Sequence, residues 1–134
     1  MKKILLLLLL NTLIFAQGYK EFAKKMGYET NYEIALQRAK NEKKELFIVM
    51  ITNYCPWCSK FEKKTLSDSK VHRAIKLKYI PLIINKEEKK FPSYLSTTMV
   101  PTVFFVKSHE EKSFHESVGF LNKVDFLHLL EQLN

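Results

Sequence analysis

Apolar and polar positions alternate along this chain in blocks that predict its elements. After an apolar N-terminal stretch, Thr30-Asn31-Tyr32-Glu33 has capping-box form, a hydroxyl followed one turn on by Glu. Tyr32, Ala35, Leu36 and Ala39 then share one helical face, so a helix is expected to run to about Lys43. Leu46 to Ile51 is an unbroken apolar run, the pattern of a strand buried on both faces. A helix starting at Cys55 or Trp57 is expected to reach Leu66 with Phe61 inward, followed by a break at Ser67-Asp68-Ser69. A short helix near Lys70–Leu77 leads to a second strand, Tyr79–Ile84, whose Pro81 belongs near its start or at a sheet edge. A charged loop and a short turn or helix near Ser93–Ser96 precede a third strand, Thr102–Lys107. A polar turn at Ser108–Lys112 leads to a fourth strand, Ser113–Val118, ended by Gly119. Asn122 then caps a last helix with Phe126, Leu129, Leu130 and Leu133 on one face. The strands flanking a helix should be parallel and the last pair antiparallel, which gives an α/β class with a mixed central sheet and helices on both faces.

The N-terminus has a different character. Met1-Lys2-Lys3 is basic, Ile4 to Phe15 is almost wholly apolar with six consecutive leucines, and Ala16 precedes Gln17-Gly18. This is the form of a secretory signal peptide over residues 1–16. The apolar run is about a dozen residues, whereas a bilayer crossing needs about 20. Asn11 and Thr12 weaken a spanning helix further, although Ile14 is larger than the usual residue at its place before the cleavage site, and an uncleaved membrane anchor is the alternative. Residues 17–29 read as an N-terminal extension, partly helical, with Phe22 and Tyr28 able to dock; residues 30–134 read as one domain.

Cleavage would remove Lys2 and Lys3 and no acid, lowering the formal charge from +8 to +6. The remaining lysines are mixed with glutamates, as in Lys86-Glu87-Glu88-Lys89-Lys90, which marks solvated faces and argues against nucleic-acid binding.

Cys55 and Cys58 in Tyr54-Cys55-Pro56-Trp57-Cys58 are the only cysteines. A bridge across two residues closes so small a loop that it stabilises the fold little; redox exchange is the better reason for the pair. The strand-to-helix transition puts Cys55 at a helix N-terminus, where unpaired amides and the helix dipole favour a thiolate. Pro56 suits the first helical turn. Cys55 is therefore expected to be the exposed nucleophile and Cys58, one turn in, the more buried resolving thiol. Attack by Cys55 on a substrate disulfide, then by Cys58 on Cys55, passes the disulfide to the pair. Trp57 could add an apolar docking surface or be a half-exposed aromatic with no particular role.

Rival chemistries find less support. A structural zinc site takes more ligands than one Cys-x-x-Cys supplies, and His72, His109, His115 and His128 are scattered. Covalent haem attachment needs histidine where Ser59 stands. No metal and no cofactor is expected. A copper-delivering dithiol, and a binding module with a permanently closed disulfide, remain as alternatives.

The chain resembles thioredoxin-fold proteins, and most closely the exported thioredoxin-like ones with a helix ahead of the first sheet strand. Asn53-Tyr54-Cys55-Pro56-Trp57-Cys58, Val100-Pro101-Thr102 and Val118-Gly119-Phe120 carry the likeness, which covers roughly Thr30 to Leu133. The resemblance implies a thioredoxin-like fold, a thiol-disulfide oxidoreductase activity, a cis peptide before Pro101, and substrate binding by Val100, Pro101 and Thr102. One departure stands out: Val49 occupies the position where many thioredoxins keep a buried acid that takes the proton of the second cysteine. Glu62, a turn after Cys58, is a candidate substitute, with an exposed helix glutamate as the plainer expectation. Pro56-Trp57 matches neither the Gly-Pro of ordinary thioredoxins nor the Pro-His of strong oxidants, which favours a reductant or, less strongly, an isomerase-like role. Expected partners are protein thiols and disulfides and a membrane-bound electron donor, with the protein a monomer in the bacterial periplasm.

Overall fold

The computed structural model describes Lys2 and residues 18–134. Apart from Lys2, the leader lies outside the described residues. No helix among the described residues is long and apolar enough to cross a membrane.

Strand β1 (Glu45–Ile51) organises the molecule. It runs parallel to β2 (Tyr79–Asn85), with Glu45 opposite Tyr79 and Ile51 opposite Asn85. On its other side it runs antiparallel to β3 (Thr102–Lys107), which pairs with β4 (Glu110–Val118), so the sheet order is β2-β1-β3-β4. Strand side chains point alternately to opposite faces. Phe47, Val49 and Ile51 therefore enter one core and Leu46, Ile48 and Met50 the other. Both faces are covered, which is why Leu46–Ile51 contains no polar residue. Phe47 sits at the centre of the first core, in edge or tilted contact with Tyr28, Tyr79, Phe105 and Phe126.

The helices close the two faces. Helix α1 covers 18–26 among the described residues and buries Tyr19 and Ala23; Gly27, at φ +71°, turns the chain so that Tyr28 is buried against Phe22. Helix α2 (Tyr32–Glu42) covers the opposite face with Tyr32, Ala35, Leu36 and Ala39. Its N-cap is Asn31, whose side chain accepts from Ile34 N at 3.0 Å. The expected box from Thr30 to Glu33 does not form, because the helix begins one residue later and Asn is the better cap. Helix α3 (Pro56–Phe61) passes directly into a π-helical turn, Glu62–Leu66. Asp68 caps α4 (Ser69–Lys78) by accepting from Lys70 N and Val71 N, and Asn122 caps α5 (Lys123–Gln132) by accepting from Asp125 N. In α5, Phe126 and Leu130 are buried, while Leu129, and Leu133 just past the helix, pack at the margin of the first core.

Pro81 lies in β2, an edge strand, as its missing N–H requires. Glu29 covers that edge: its N–H donates to Pro81 O and its carbonyl accepts from Ile83 N, both at 2.9 Å. Ser93–Ser96 forms a turn rather than a helix, closed by Leu95 N donating to Pro92 O, with Leu95 fully buried. Strand β4 begins at Glu110, three residues before the expected start, because the β3–β4 turn needs only Ser108 and His109. Its charged residues sit at the free edge of the sheet, where polar side chains are tolerated.

Candidate functional site

The chain leaves β1 at Ile51, crosses the exposed residues Asn53 and Tyr54, and turns into α3 at Cys55. Cys55 is the N-cap of that helix, with extended backbone, and Pro56 follows in the first turn. The Cys55 sulfur accepts from Cys58 N at 3.1 Å, so an amide of the helix's open end is aimed at it. The sulfurs are bonded in a disulfide at 2.13 Å, with Cα atoms 5.2 Å apart. Cys58 is only 3% exposed, whereas Cys55 is half-buried at the surface.

The Val100–Pro101 peptide is cis. Strand pairing sets Thr102 opposite Met50, so the turn before β3 lies at the same end of the sheet from which β1 delivers the cysteines. Thr102 is buried, and its hydroxyl donates to Met99 O at 2.7 Å and meets Thr97 Oγ1 at 3.1 Å. Pro101 O accepts from Gly119 N at 2.8 Å. The next residue, Phe120, has its ring 5.6 Å from that of Trp57. Trp57 remains 56% exposed, with Lys60 Nζ 4.6 Å from its ring centre. Tyr54 and Met99 are also well exposed, at 82% and 59%. Isolated exposed apolar residues are ordinary; here several belong to the segments that lead to the disulfide and to the cis peptide.

An open cleft of about 450 Å³ lies beside the disulfide, lined by Cys55, Cys58, Asn53, Tyr54, Tyr19 and Glu62 among others. Glu62 is half-buried, not the exposed helix residue that was the plainer expectation. Burial pushes its carboxyl up to about 7, against a smaller downward pull from Lys63. Glu62 also opens the π-helical turn, its carbonyl accepting from Ser67 N at 2.9 Å and Ser67 Oγ at 2.6 Å. Such turns recur at functional sites. Val49 is fully buried in the first core. The buried Tyr28 hydroxyl has no hydrogen-bond partner among the described residues, and burial, with the Glu62 charge adding to it, raises its pKa.

Sequence reasoning missed the part played by α1 and by the end of β2. Tyr19 and Glu21 line the cleft, and Asn85 donates through Nδ2 to Asn53 Oδ1. The one sequence signal for Asn85 was a polar residue closing an otherwise apolar strand. His72, His109, His115 and His128 lie on α4, the β3–β4 turn, β4 and α5; among the described residues no group of three or more His, Cys, Asp or Glu side chains could hold a metal ion.

Residues 32–134 match the model of the thioredoxin-like domain family. No curated protein matches the chain. Among solved structures, the C-terminal domain of Neisseria meningitidis DsbD in its oxidised form is 20% identical, covers 80% of this chain and 99% of its own, and superposes with a TM-score of 0.64. The DsbH oxidoreductase is 13% identical over 78% of this chain and 81% of its own, with a TM-score of 0.66. A thioredoxin from Thermus thermophilus is 18% identical over 79% and 85%, with a TM-score of 0.60. The mixed four-stranded sheet with helices on both faces, the Cys-x-x-Cys pair at disulfide distance and the family match over residues 32–134 together place this chain in the thioredoxin-like family.

Proposed function

We propose that this chain is an exported thiol-disulfide oxidoreductase that reduces protein disulfides. The observation that carries the reading is the Cys55 sulfur at the N-cap of α3, half-exposed and hydrogen-bonded by Cys58 N. That setting stabilises a thiolate when the pair is reduced. The Cys55 thiolate attacks one sulfur of a substrate disulfide, forming a Cys55–substrate bond and releasing the other substrate sulfur as a thiolate. Cys58 gives up its proton and attacks the Cys55 sulfur. The second substrate thiolate leaves, the substrate has gained two electrons, and the Cys55–Cys58 disulfide has formed.

Glu62 is the proton acceptor for Cys58 in this cycle. A carboxyl near 7 is about half ionised at neutral pH, where a general base works best. Trp57 and the Val100-Pro101-Thr102 shelf hold the substrate chain. Absence of histidine between the cysteines favours a reductant over a strong oxidant. The leader's basic, apolar and small-residue sequence supports export to the periplasm. A membrane-bound dithiol donor would then recharge the pair, and the protein acts as a monomer.

The test is a Cys58→Ser variant expressed in its native cells. It should accumulate mixed disulfides on Cys55 that dissolve on reduction, and the purified wild-type protein should equilibrate with a glutathione buffer. A chain that stays closed in every thiol buffer and traps nothing is a scaffold, not an exchanger. Stoichiometric cuprous binding without turnover would point to copper delivery instead.

A further inference from the structure

The short segment 85–88, where β2 ends, is bonded to two walls of the redox cleft, the Asn53 loop and α1, and to the loop that leads to the cis peptide. Asn85 is 2% exposed and stands opposite Ile51, the last residue of β1. Its Oδ1 accepts from Glu87 N at 3.0 Å, which fixes its Nδ2 as the group facing Asn53. Nδ2 donates there to Asn53 Oδ1, in the loop that enters Cys55. Lys86 turns the other way and donates through Nζ to the carbonyl of Thr97. The Thr97 hydroxyl in turn contacts Met99 N, Met99 O and Thr102 Oγ1, on both sides of the cis peptide. Glu88 Oε1 accepts from the Tyr19 hydroxyl at 2.5 Å, which anchors α1 where it lines the cleft. One half-buried ammonium and one buried amide are thus committed to loop positions, and bonds from a charged donor are the stronger kind.

We propose that Asn85 and Lys86 are positioning residues that set the spacing between Cys55 and the Met99-Val100-Pro101 shelf, and that Glu88 supports them by holding α1 against the cleft. The inference rests on the proposed exchange at Cys55. A polypeptide disulfide must meet the sulfur and the shelf together, and small misplacements are costly for reactions that depend on orientation. A small dithiol needs only the sulfur. The clamp therefore selects for polypeptide substrates without altering the intrinsic reactivity of the disulfide.

The experiment compares two probes, insulin as the polypeptide disulfide and dithiothreitol as the small dithiol. Lys86→Met keeps the aliphatic stem and removes the donor; Asn53→Ala removes the acceptor from an exposed loop position. Thermal unfolding of each variant confirms that it is folded. Each should slow insulin reduction by roughly three- to tenfold, the loss expected for one hydrogen bond. Reduction of the Cys55–Cys58 bridge by dithiothreitol should stay within about twofold of wild type, since that reaction needs only an accessible sulfur. Glu88→Gln, which can still accept from Tyr19, should resemble wild type, and Glu88→Ala should slow insulin alone. Equal losses with both probes, loss with dithiothreitol only, or no loss with either would overturn the clamp. A wild-type protein that reacts with neither probe would sink the exchange reading, and the clamp with it.

Discussion

Glu62 offers the most direct link between burial and function. Its carboxyl is raised from an ordinary 4.5 to about 7, with desolvation the main cause. The folded protein therefore holds a proton between these values that the unfolded chain has already lost. Stability contributed by the protonated form is fully present below 4.5 and is lost as pH rises through 7. At about 1.4 kcal/mol for each pH unit, the full shift would be worth about 3 kcal/mol. Glu62 is partly exposed, so solvent screening reduces this to about 2 kcal/mol. Glu62→Gln removes the ionisation. Measured by urea unfolding of the oxidised protein, it should leave stability near wild type at pH 4 and raise it by about 2 kcal/mol at pH 8. The same variant should lose the rise in exchange rate near pH 7 that marks proton transfer to Glu62. A stability difference that is flat from pH 4 to pH 8 would refute the burial argument. An unchanged pH–rate profile would refute the proton-acceptor role.

Two further substitutions test how the site is held. Thr65 is fully buried and donates to Leu121 O at 2.6 Å, tying the π-helical turn to the loop before α5. Thr65→Val should cost about 1–2 kcal/mol in urea unfolding by leaving that carbonyl unpaired, and Thr65→Ser should recover most of it. Gly119 sits at φ +93° with open space where a Cβ would project. Gly119→Ala should therefore lose about 1–2 kcal/mol from backbone conformation alone, with a smaller loss for Gly119→Asn.

Elements with local signals were legible in the order of residues alone. An unbroken apolar run such as Leu46–Ile51 has no stable place except between two covered faces, so β1 was legible before any fold was known. The same holds for the Asn122 cap of α5 and for the bounds of β3. The cysteine spacing, with Pro56 after Cys55, specified a helix tip whose first sulfur is more open than its second. Asn31 displaced Thr30 as the α2 cap because neighbouring hydroxyl and amide side chains compete for the same open amides, and the winner depends on where the helix docks.

Other features arise only from packing in three dimensions. Glu62 sits on a lysine-rich segment that reads as a solvated helix face; only the folded structure half-buries it beside the cleft, and that burial raises its pKa to about 7. Asn85, Lys86 and Glu88 read as the polar end of a strand and a charged loop. Asn85 meets Asn53 only because β1 and β2 pair with Ile51 opposite Asn85, and Glu88 meets Tyr19 only because α1 packs beside that end of the sheet. Local propensity depends on neighbours along the chain, whereas burial and long-range pairing depend on neighbours in space, and the chemistry of this site is set by the second kind.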